Sequence, residues 1–318
     1  MVEVVVARLT CEAQDVRGIE LHCAGGGELP VFTAGAHIDV HLPGQRVCQY
    51  SLLNDPRERH RYVLGVGLAP ESRGGSRYVH EKLRRGDRLT IGEPRSLFGV
   101  ETSASEHLFI AGGIGITPFL SMIEWCEANS RPWRLLYCVR SRSRAAFLWL
   151  LAPRHEQVRL HVDEECEGTH ADLAGFLGEA SPGAHVYCCG PGALMDAVAR
   201  EVIATKIPKA ATHFERFSAG EVASIAEGGE RPFTVVLHRS GRRVSVGSQQ
   251  SILDALEDGG IPVPYSCREG LCRSCETSVL RGEVDHRDFV LSDGERAENR
   301  SMLVCVSRAL SDELVLDL

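Results

Sequence analysis

The sequence predicts a multidomain chain: a small antiparallel β-barrel, an α/β domain on a parallel sheet, and a compact α+β domain. Three observations predict it. At roughly 100–200 residues per domain, 318 residues provide for two or three cores. The strand and helix patterns change character twice along the chain. A cysteine cluster then marks the last part.

Residues 1–105 are strand-rich. Val2–Val6, Ile38–Leu42 and Tyr62–Val66 read as short strands bounded by Gly, Pro or Asp. One helix is expected near Arg77–Arg84, stopped by Gly86. Short strands with such turns suit a small antiparallel barrel or sandwich. Residues 106–217 alternate instead. Strands are expected at His107–Ala111, Trp133–Val139, Val158–Val162 and His185–Cys188, with helices at Pro118–Ala128, Ala145–Leu150 and Ala193–Ile203. That is the pattern of a doubly wound parallel sheet. Residues 218–231 are small and acidic, and read as a linker. Residues 232–318 open with a hairpin, Phe233–His238 and Arg243–Val246, followed by a helix at Ser251–Glu257.

Composition narrows the function. Apolar residues at 43% and charged residues at 25% are a globular balance. A net charge of −8 argues against a general nucleic-acid binder. No apolar run of 18 residues predicts a membrane span. Met1–Thr10 alternates like a strand and lacks the marks of a signal peptide, so a cytoplasmic location is expected. Twelve cysteines are then unusual, because disulfides do not persist in a reducing compartment. Metal ligation or redox chemistry explains at least some of them.

Cys267, Cys272 and Cys275 have the spacing C-x4-C-x2-C, and 29 residues separate Cys275 from Cys305. Four thiolates so spaced match the plant-type [2Fe-2S] arrangement, and Gly270 lets the backbone approach the inorganic sulfides. A structural zinc site usually shows a second paired motif, which is missing. Four unrelated free thiols leave unexplained three cysteines within nine residues on a polar loop.

The segment Pro264–Cys275, PYSCREGLCRSC, resembles the C-terminal ferredoxin of phthalate dioxygenase reductase-type proteins, the class IA Rieske oxygenase reductases that include vanillate demethylase reductases. The resemblance covers nearly the whole chain. It implies an FMN-binding β-barrel at 1–105, an NAD-binding domain at 106–217, a linker at 218–231 and a β-grasp [2Fe-2S] ferredoxin at 232–318. One departure is Arg273, where relatives usually have glycine. Its charge either raises the cluster potential or faces a partner protein.

The same resemblance extends to a flavin pocket. Gln49-Tyr50-Ser51-Leu52 resembles the segment that runs along the isoalloxazine, and Gly74-Gly75-Ser76-Arg77 resembles a phosphate cradle. Independently of any family, glycine-freed N–H groups at a helix start suit a phosphate. Pro94–Phe98 resembles a further flavin-domain signature. The cradle favours FMN over FAD. Cys48 stands where relatives carry a phosphate-binding arginine, so flavin retention is weakened unless Arg46, Arg73 or Arg77 compensates.

The nucleotide turn is Gly112-Gly113-Ile114-Gly115-Ile116-Thr117-Pro118, a strand, a glycine turn and a helix start. It departs from G-x-G-x-x-G because Pro118 stands at the third glycine. Proline suits a first helical turn and Thr117 an N-cap, so N–H groups face a pyrophosphate. Tyr187-Cys188-Cys189-Gly190-Pro191 resembles the family signature beside the nicotinamide, which assigns that role to Cys189, Gly190 and Pro191. Cys188 points the other way, into the core. Phe217 resembles the aromatic that covers the flavin ring, although a core phenylalanine before a linker also fits. Arg140, after the second strand, sits where a 2′-phosphate would bind. With 32 arginines against three lysines, one arginine discriminates little, and the resemblance favours NADH over NADPH. Cys11, Cys23, Cys126, Cys138 and Cys166 lack ligand spacing and read as small buried residues.

The cofactors make one chemical argument. NADH gives up two electrons together, a [2Fe-2S] cluster takes one, and a flavin converts between them. The expected activity is an NADH-dependent iron–sulfur flavoprotein oxidoreductase, passing electrons through FMN and the cluster to a Rieske non-haem iron oxygenase. Cys189, Phe217 and Thr117 position the reactants. Two other readings stay open: a cluster-only carrier or redox sensor with a weakened flavin site, and a stand-alone flavin reductase.

Overall fold

The first sheet is built from a long hairpin, β1 (Val2–Ala13) and β2 (Val16–Cys23), turning at Asp15 with a φ of 60°. β3 (His37–Leu42), β4 (Arg46–Ser51), β5 (Tyr62–Gly67), α1 (Gly75–Glu81) and β6 (Arg88–Ile91) follow. The strands lie antiparallel in the order β4-β3-β6-β1-β2-β5. The two ends meet through a bridge between Leu52 and Leu64 and a hydrogen bond from Leu53 N to Val63 O (3.0 Å), which closes the sheet into a barrel. Alternate residues fill its interior, among them Val4, Val6, Ile19, Leu21, Ile38, Val40, Leu64, Val66, Leu89 and Ile91, all buried. The chain is a computed structural model describing residues 1–44, 46–69, 74–218 and 231–318.

The second sheet is wholly parallel. It runs through β7 (His107–Gly112), α2 (Thr117–Ala128), β8 (Trp133–Val139), α3 (Leu148–Leu151), β9 (Val158–Val162), α4 (Leu173–Gly178), β10 (His185–Cys189), α5 (Gly192–Ala204) and β11 (Thr212–Glu215). The strand order is β11-β10-β7-β8-β9, so the direction of winding reverses between β7 and β10. Nucleotides bind outside the carboxyl ends of such strands, at that reversal.

Two local expectations are corrected here. Thr117 does not cap α2: a 3-10 turn over Gly113–Ile116 precedes the helix, and the Thr117 hydroxyl donates to Ile114 O (3.0 Å). The helix expected over Ala145–Leu150 is a single turn, Leu148–Leu151. Phe147 adopts a left-handed φ of 60°, and Tyr137 Oη accepts from Ala146 N (3.0 Å), which holds the preceding backbone out of a helix.

The chain divides into two compact units, Met1–Phe217 and Ser218–Leu318. Most of the expected linker lies outside the described residues. The second unit contains β12 (Phe233–Leu237), β13 (Arg243–Val246), α6 (Ile252–Asp258), β14 (Glu276–Arg281), β15 (Val284–Asp285), α7 (Asp293–Glu298), β16 (Ser301–Leu303), β17 (Arg308–Ala309) and β18 (Glu313–Leu316). Its main sheet has the order β13-β12-β18-β14-β16, with the first and last strands side by side and parallel. Ile252, Leu253, Ala255 and Leu256 of α6 pack into the same core as Val235, Leu237, Val246, Leu314 and Leu316, which is a helix held in a β-grasp. Ser251 caps α6 by accepting from Asp254 N (3.0 Å).

Candidate functional site

Three of the four clustered cysteines occupy the loop between α6 and β14, and Cys305 follows β16. The four thiols hydrogen-bond to one another: Cys267 with Cys272 and Cys305, and Cys275 with Cys305. Those bonds, with N–H donation to Cys267 Sγ from Glu269 (3.3 Å) and Leu271 (3.4 Å), hold the Cys267 thiol well below its ordinary range. The loop turns left-handed at Arg268, Gly270 and Arg273. Only glycine fits at 270: its φ is 70°, and a Cβ would lie 2.7 Å from Val306 Cγ2 and 3.0 Å from Asp288 Cα. Four sulfur donors with amide N–H groups aimed at one of them suit an iron–sulfur cluster.

Arg273 does not present a free charge. Its guanidinium donates to Glu295 Oε2 (2.8 Å) and Val290 O (2.9 Å), and Glu276 lies 3.6 Å away. Two carboxylates compensate its charge. Phe289 N donates to Gly270 O (3.0 Å), and the buried Asp288 carboxylate accepts from Val290 N (3.0 Å) and Leu291 N (2.7 Å). This segment braces the cysteine loop from behind.

In the barrel, Cys48 and Tyr50 lie on one face of β4, facing the turn that begins α1. A Cβ on Gly75 would overlap Cys48 Sγ and lie 3.9 Å from Tyr50 Oη, so glycine lets the turn lie directly on the strand. Burial, and then Cys48, push the Tyr50 phenol up. Ser51 is buried, and its hydroxyl has no hydrogen-bond partner among the described residues. An unpaired buried hydroxyl costs about 1–3 kcal/mol. A hydrogen-bonding ligand would recover that cost, which suits a flavin. Leu52 contributes backbone only, since its side chain is in the barrel core and its N–H donates to Ala36 O (2.8 Å). Ser76 Oγ accepts from Ala69 N (3.2 Å), and Arg77 is exposed on α1. Arg73 lies outside the described residues. Arg95 pairs with Asp39 (2.7 Å), and Phe98 leaves the barrel to pack against Phe119 and Tyr187.

The nucleotide turn and the Cys189–Pro191 segment come together. A Cβ on Gly115 would overlap the Cys189 carbonyl, and one on Gly112 would lie 2.6 Å from Pro191 Cδ. A Cβ on Gly190 would lie 2.9 Å from Gly112 Cα. Gly113, with a φ of 54°, faces open space. These glycines stack two backbones at the carboxyl ends of β7 and β10, where the winding reverses. The turn also reaches the barrel: a Cβ on Gly65 of β5 would lie 2.7 Å from Thr117 Cγ2. Pro118 is buried in the first turn of α2. Arg140 is exposed after β8, while Arg142 is held by Glu165 (2.7 Å). Phe217 follows β11 with 44% of its surface exposed.

Cys189 and Cys188 are both buried but belong to cores on opposite faces of the sheet. Burial, then Glu215, raises the Cys189 thiol well above its ordinary value, so it is neutral. Glu215 was not singled out from sequence. It pairs with Cys189 in the β10–β11 register, its Oε2 is buried and lacks a partner among the described residues, and burial pushes its carboxyl up to about 8. The available signal was a carboxylate two residues before Phe217, in strand phase with His213. Of the spare cysteines only Cys126 is fully buried. Cys23, Cys138 and Cys166 are half-buried and Cys11 is exposed, because β1 turns one face outward there.

Comparison with known proteins places these observations in context. The 2Fe-2S iron-sulfur cluster binding domain family matches residues 235–310. The N-terminal domain of the dimethylamine monooxygenase subunit DmmA-like family matches residues 94–211. The chain is 46% identical to phenoxybenzoate dioxygenase subunit beta of Ectopseudomonas oleovorans over 306 residues, covering 96% of this chain and 94% of that one. It is 42% identical to a vanillate O-demethylase oxidoreductase of Pseudomonas sp. (strain HR199 / DSM 7063), with both chains fully covered. Among solved structures, phthalate dioxygenase reductase, described as modular for electron transfer from pyridine nucleotides to [2Fe-2S], matches with a TM-score of 0.74 and 39% identity. That match covers 99% of this chain and 97% of the other.

Proposed function

The chain belongs to the phthalate dioxygenase reductase-type family, and from that premise we infer that it carries electrons from NADH through FMN and a [2Fe-2S] cluster to an oxygenase component. It is an NADH-dependent iron–sulfur flavoprotein oxidoreductase. The observation that carries this reading is the junction in the first unit: the Gly112–Pro118 turn lies on Cys189–Pro191 and against barrel strand β5. A nucleotide donor and a flavin acceptor then share one crevice.

The residue assignments extend this reading, with the geometry described above in support. Residues 1–105 form the FMN barrel, 106–217 the NAD domain and 232–318 the ferredoxin, with 218–231 as linker. Tyr50, Ser51 and Leu52 run along the flavin, with the Ser51 hydroxyl as a hydrogen-bonding group and Leu52 acting through its backbone. Gly74, Gly75, Ser76 and Arg77 receive its phosphate. Gly112, Gly113, Gly115, Thr117 and Pro118 hold the nucleotide pyrophosphate, and Arg140 lies on its ribose side. Cys189, Gly190 and Pro191 border the nicotinamide, and Phe217 covers the flavin ring. Cys267, Cys272, Cys275 and Cys305 ligate the cluster. Bound FMN supplies the change from paired to single electrons that NADH and the cluster require. The neutral thiol of Cys189 and the protonated carboxyl of Glu215 keep charge away from the nicotinamide site at neutral pH.

The partner is a Rieske non-haem iron oxygenase acting on an aromatic compound, by analogy with the vanillate, phthalate and phenoxybenzoate systems of the relatives. No helix of the described residues is long and apolar enough to cross a membrane. Twelve cysteines outside any disulfide and the use of NADH favour the cytoplasm. Flavin and iron quantification of the purified protein, with its NADH–cytochrome c reductase activity, tests the reading. Near-stoichiometric FMN and two irons per chain with activity support it. Iron without flavin points to the cluster-only carrier or sensor. Flavin reduction without cytochrome c reduction points to the stand-alone flavin reductase.

A further inference from the structure

Cys48 removes a guanidinium from β4, yet the structure puts another at the same turn. Strand alternation sets Arg46, Cys48 and Tyr50 on one face of β4. The Arg46 guanidinium occupies the space left open by two glycines. Its Nε lies 2.9 Å from where a Gly74 Cβ would stand, and its Nη1 lies 3.0 Å from the corresponding position on Gly44. Both glycines have positive φ, 106° and 79° respectively. The Arg46 Nη1 donates to Pro43 O (3.0 Å), which anchors the side chain over the turn. Among the described residues no carboxylate pairs with Arg46, whereas Arg57, Arg61, Arg95, Arg134, Arg142 and Arg154 each do. Among the described residues the remaining guanidinium donors have no partner, which leaves them to meet an anion.

We propose that Arg46 is the principal cation of the flavin phosphate site formed by Gly74–Arg77, taking over from one step along the same strand face the contact that Cys48 cannot make. The ligand chemistry is a terminal phosphate monoester carried on an isoalloxazine. The inference rests on the flavin reading above and adds to it the identity of the cation. Two residues along a strand is about 6.6–6.8 Å, a separation that the longer reach of arginine over cysteine spans. Guanidinium is the side chain suited to a two-oxygen contact with phosphate.

The test compares FMN with riboflavin, which lacks the phosphate, on the deflavinated full-length protein by flavin fluorescence quenching. Arg46→Ala weakens FMN about 10- to 100-fold, the range expected for a charge-assisted hydrogen bond, and leaves riboflavin affinity unchanged. Arg46→Lys falls between the two. Adding Cys48→Arg to Arg46→Ala restores FMN affinity, while Cys48→Arg alone changes it little. An Arg46→Ala protein that keeps the wild-type preference for FMN over riboflavin overturns the proposal, as does a larger loss in Arg73→Ala or Arg77→Ala. A wild-type protein that binds neither flavin overturns the flavin reading itself, a result distinct from either of these.

Discussion

Glu215 and Cys189 stand opposite each other in the register of two parallel strands, a half-buried glutamate whose Oε2 is buried and a fully buried thiol, both protonated at neutral pH. The pair lies at the carboxyl end of the sheet beside the nucleotide turn. Two neutral acids here leave that end of the sheet uncharged.

The carboxyl makes stability depend on pH. Glu215 holds its proton to about 8 when folded, whereas the unfolded chain releases it near the ordinary value of 4.5. The folded state therefore binds more protons between those values, and stability falls as pH rises from about 4.5 towards 8. Glu215→Gln removes this dependence. Melting temperatures of both proteins across that range check it, and parallel curves would count against a buried neutral Glu215.

Gly115→Ala places a methyl group on the Cys189 carbonyl, a backbone atom with little room to yield. The expected result is a loss of about 1–3 kcal/mol of stability, with a raised KM for NADH. Gly86→Ala is the control: its methyl group meets nothing, and it adds only left-handed strain, about 1–2 kcal/mol. Denaturant unfolding and NADH-dependent ferricyanide reduction separate the two.

Cys272→Ser removes one of four mutually hydrogen-bonded sulfurs. It should abolish cytochrome c reduction while sparing NADH-dependent ferricyanide reduction, because the first unit keeps its own core. Persistence of both activities would place the cluster outside the electron path.

Arg273→Gly tests whether that arginine tunes the cluster or braces its loop. Its charge is already matched by Glu295 and Glu276, so the midpoint potential should stay at the wild-type value. Loss of the partly exposed pair should lower stability by about 0.2–1 kcal/mol, partly offset by relief of the left-handed φ of 58°. Redox titration and thermal melts of the full-length protein read the two effects. A clear fall in potential would show an uncompensated charge.

Patterns that repeat within a few residues were legible from the chain alone. The strand at His107, the helix expected over Ala193–Ile203 and the spacing of the four cysteines are local, and local periodicity reports them. Thr117 misled for the opposite reason: a threonine before a helix usually caps it, but a 3-10 turn already supplies the preceding carbonyl and takes its hydroxyl. Phe147 misled similarly, because a left-handed residue inside a helix-like run leaves no mark in composition.

The sequence by itself determined the order of the strand and helix patterns, the spacing of the four cysteines and the resemblance that names the cofactors, because each is written in residue types along the chain. The tertiary structure alone decided what surrounds the departures. Arg273 looked like a free charge until Glu295 was seen to meet it, and only folding sets Arg46 against Gly74, next to the glycine that Cys48 meets. Glu215 was one acid among 43 aspartates and glutamates until strand pairing buried it against Cys189. Compensation, crowding and burial depend on partners distant in sequence, and only folding brings those partners into contact.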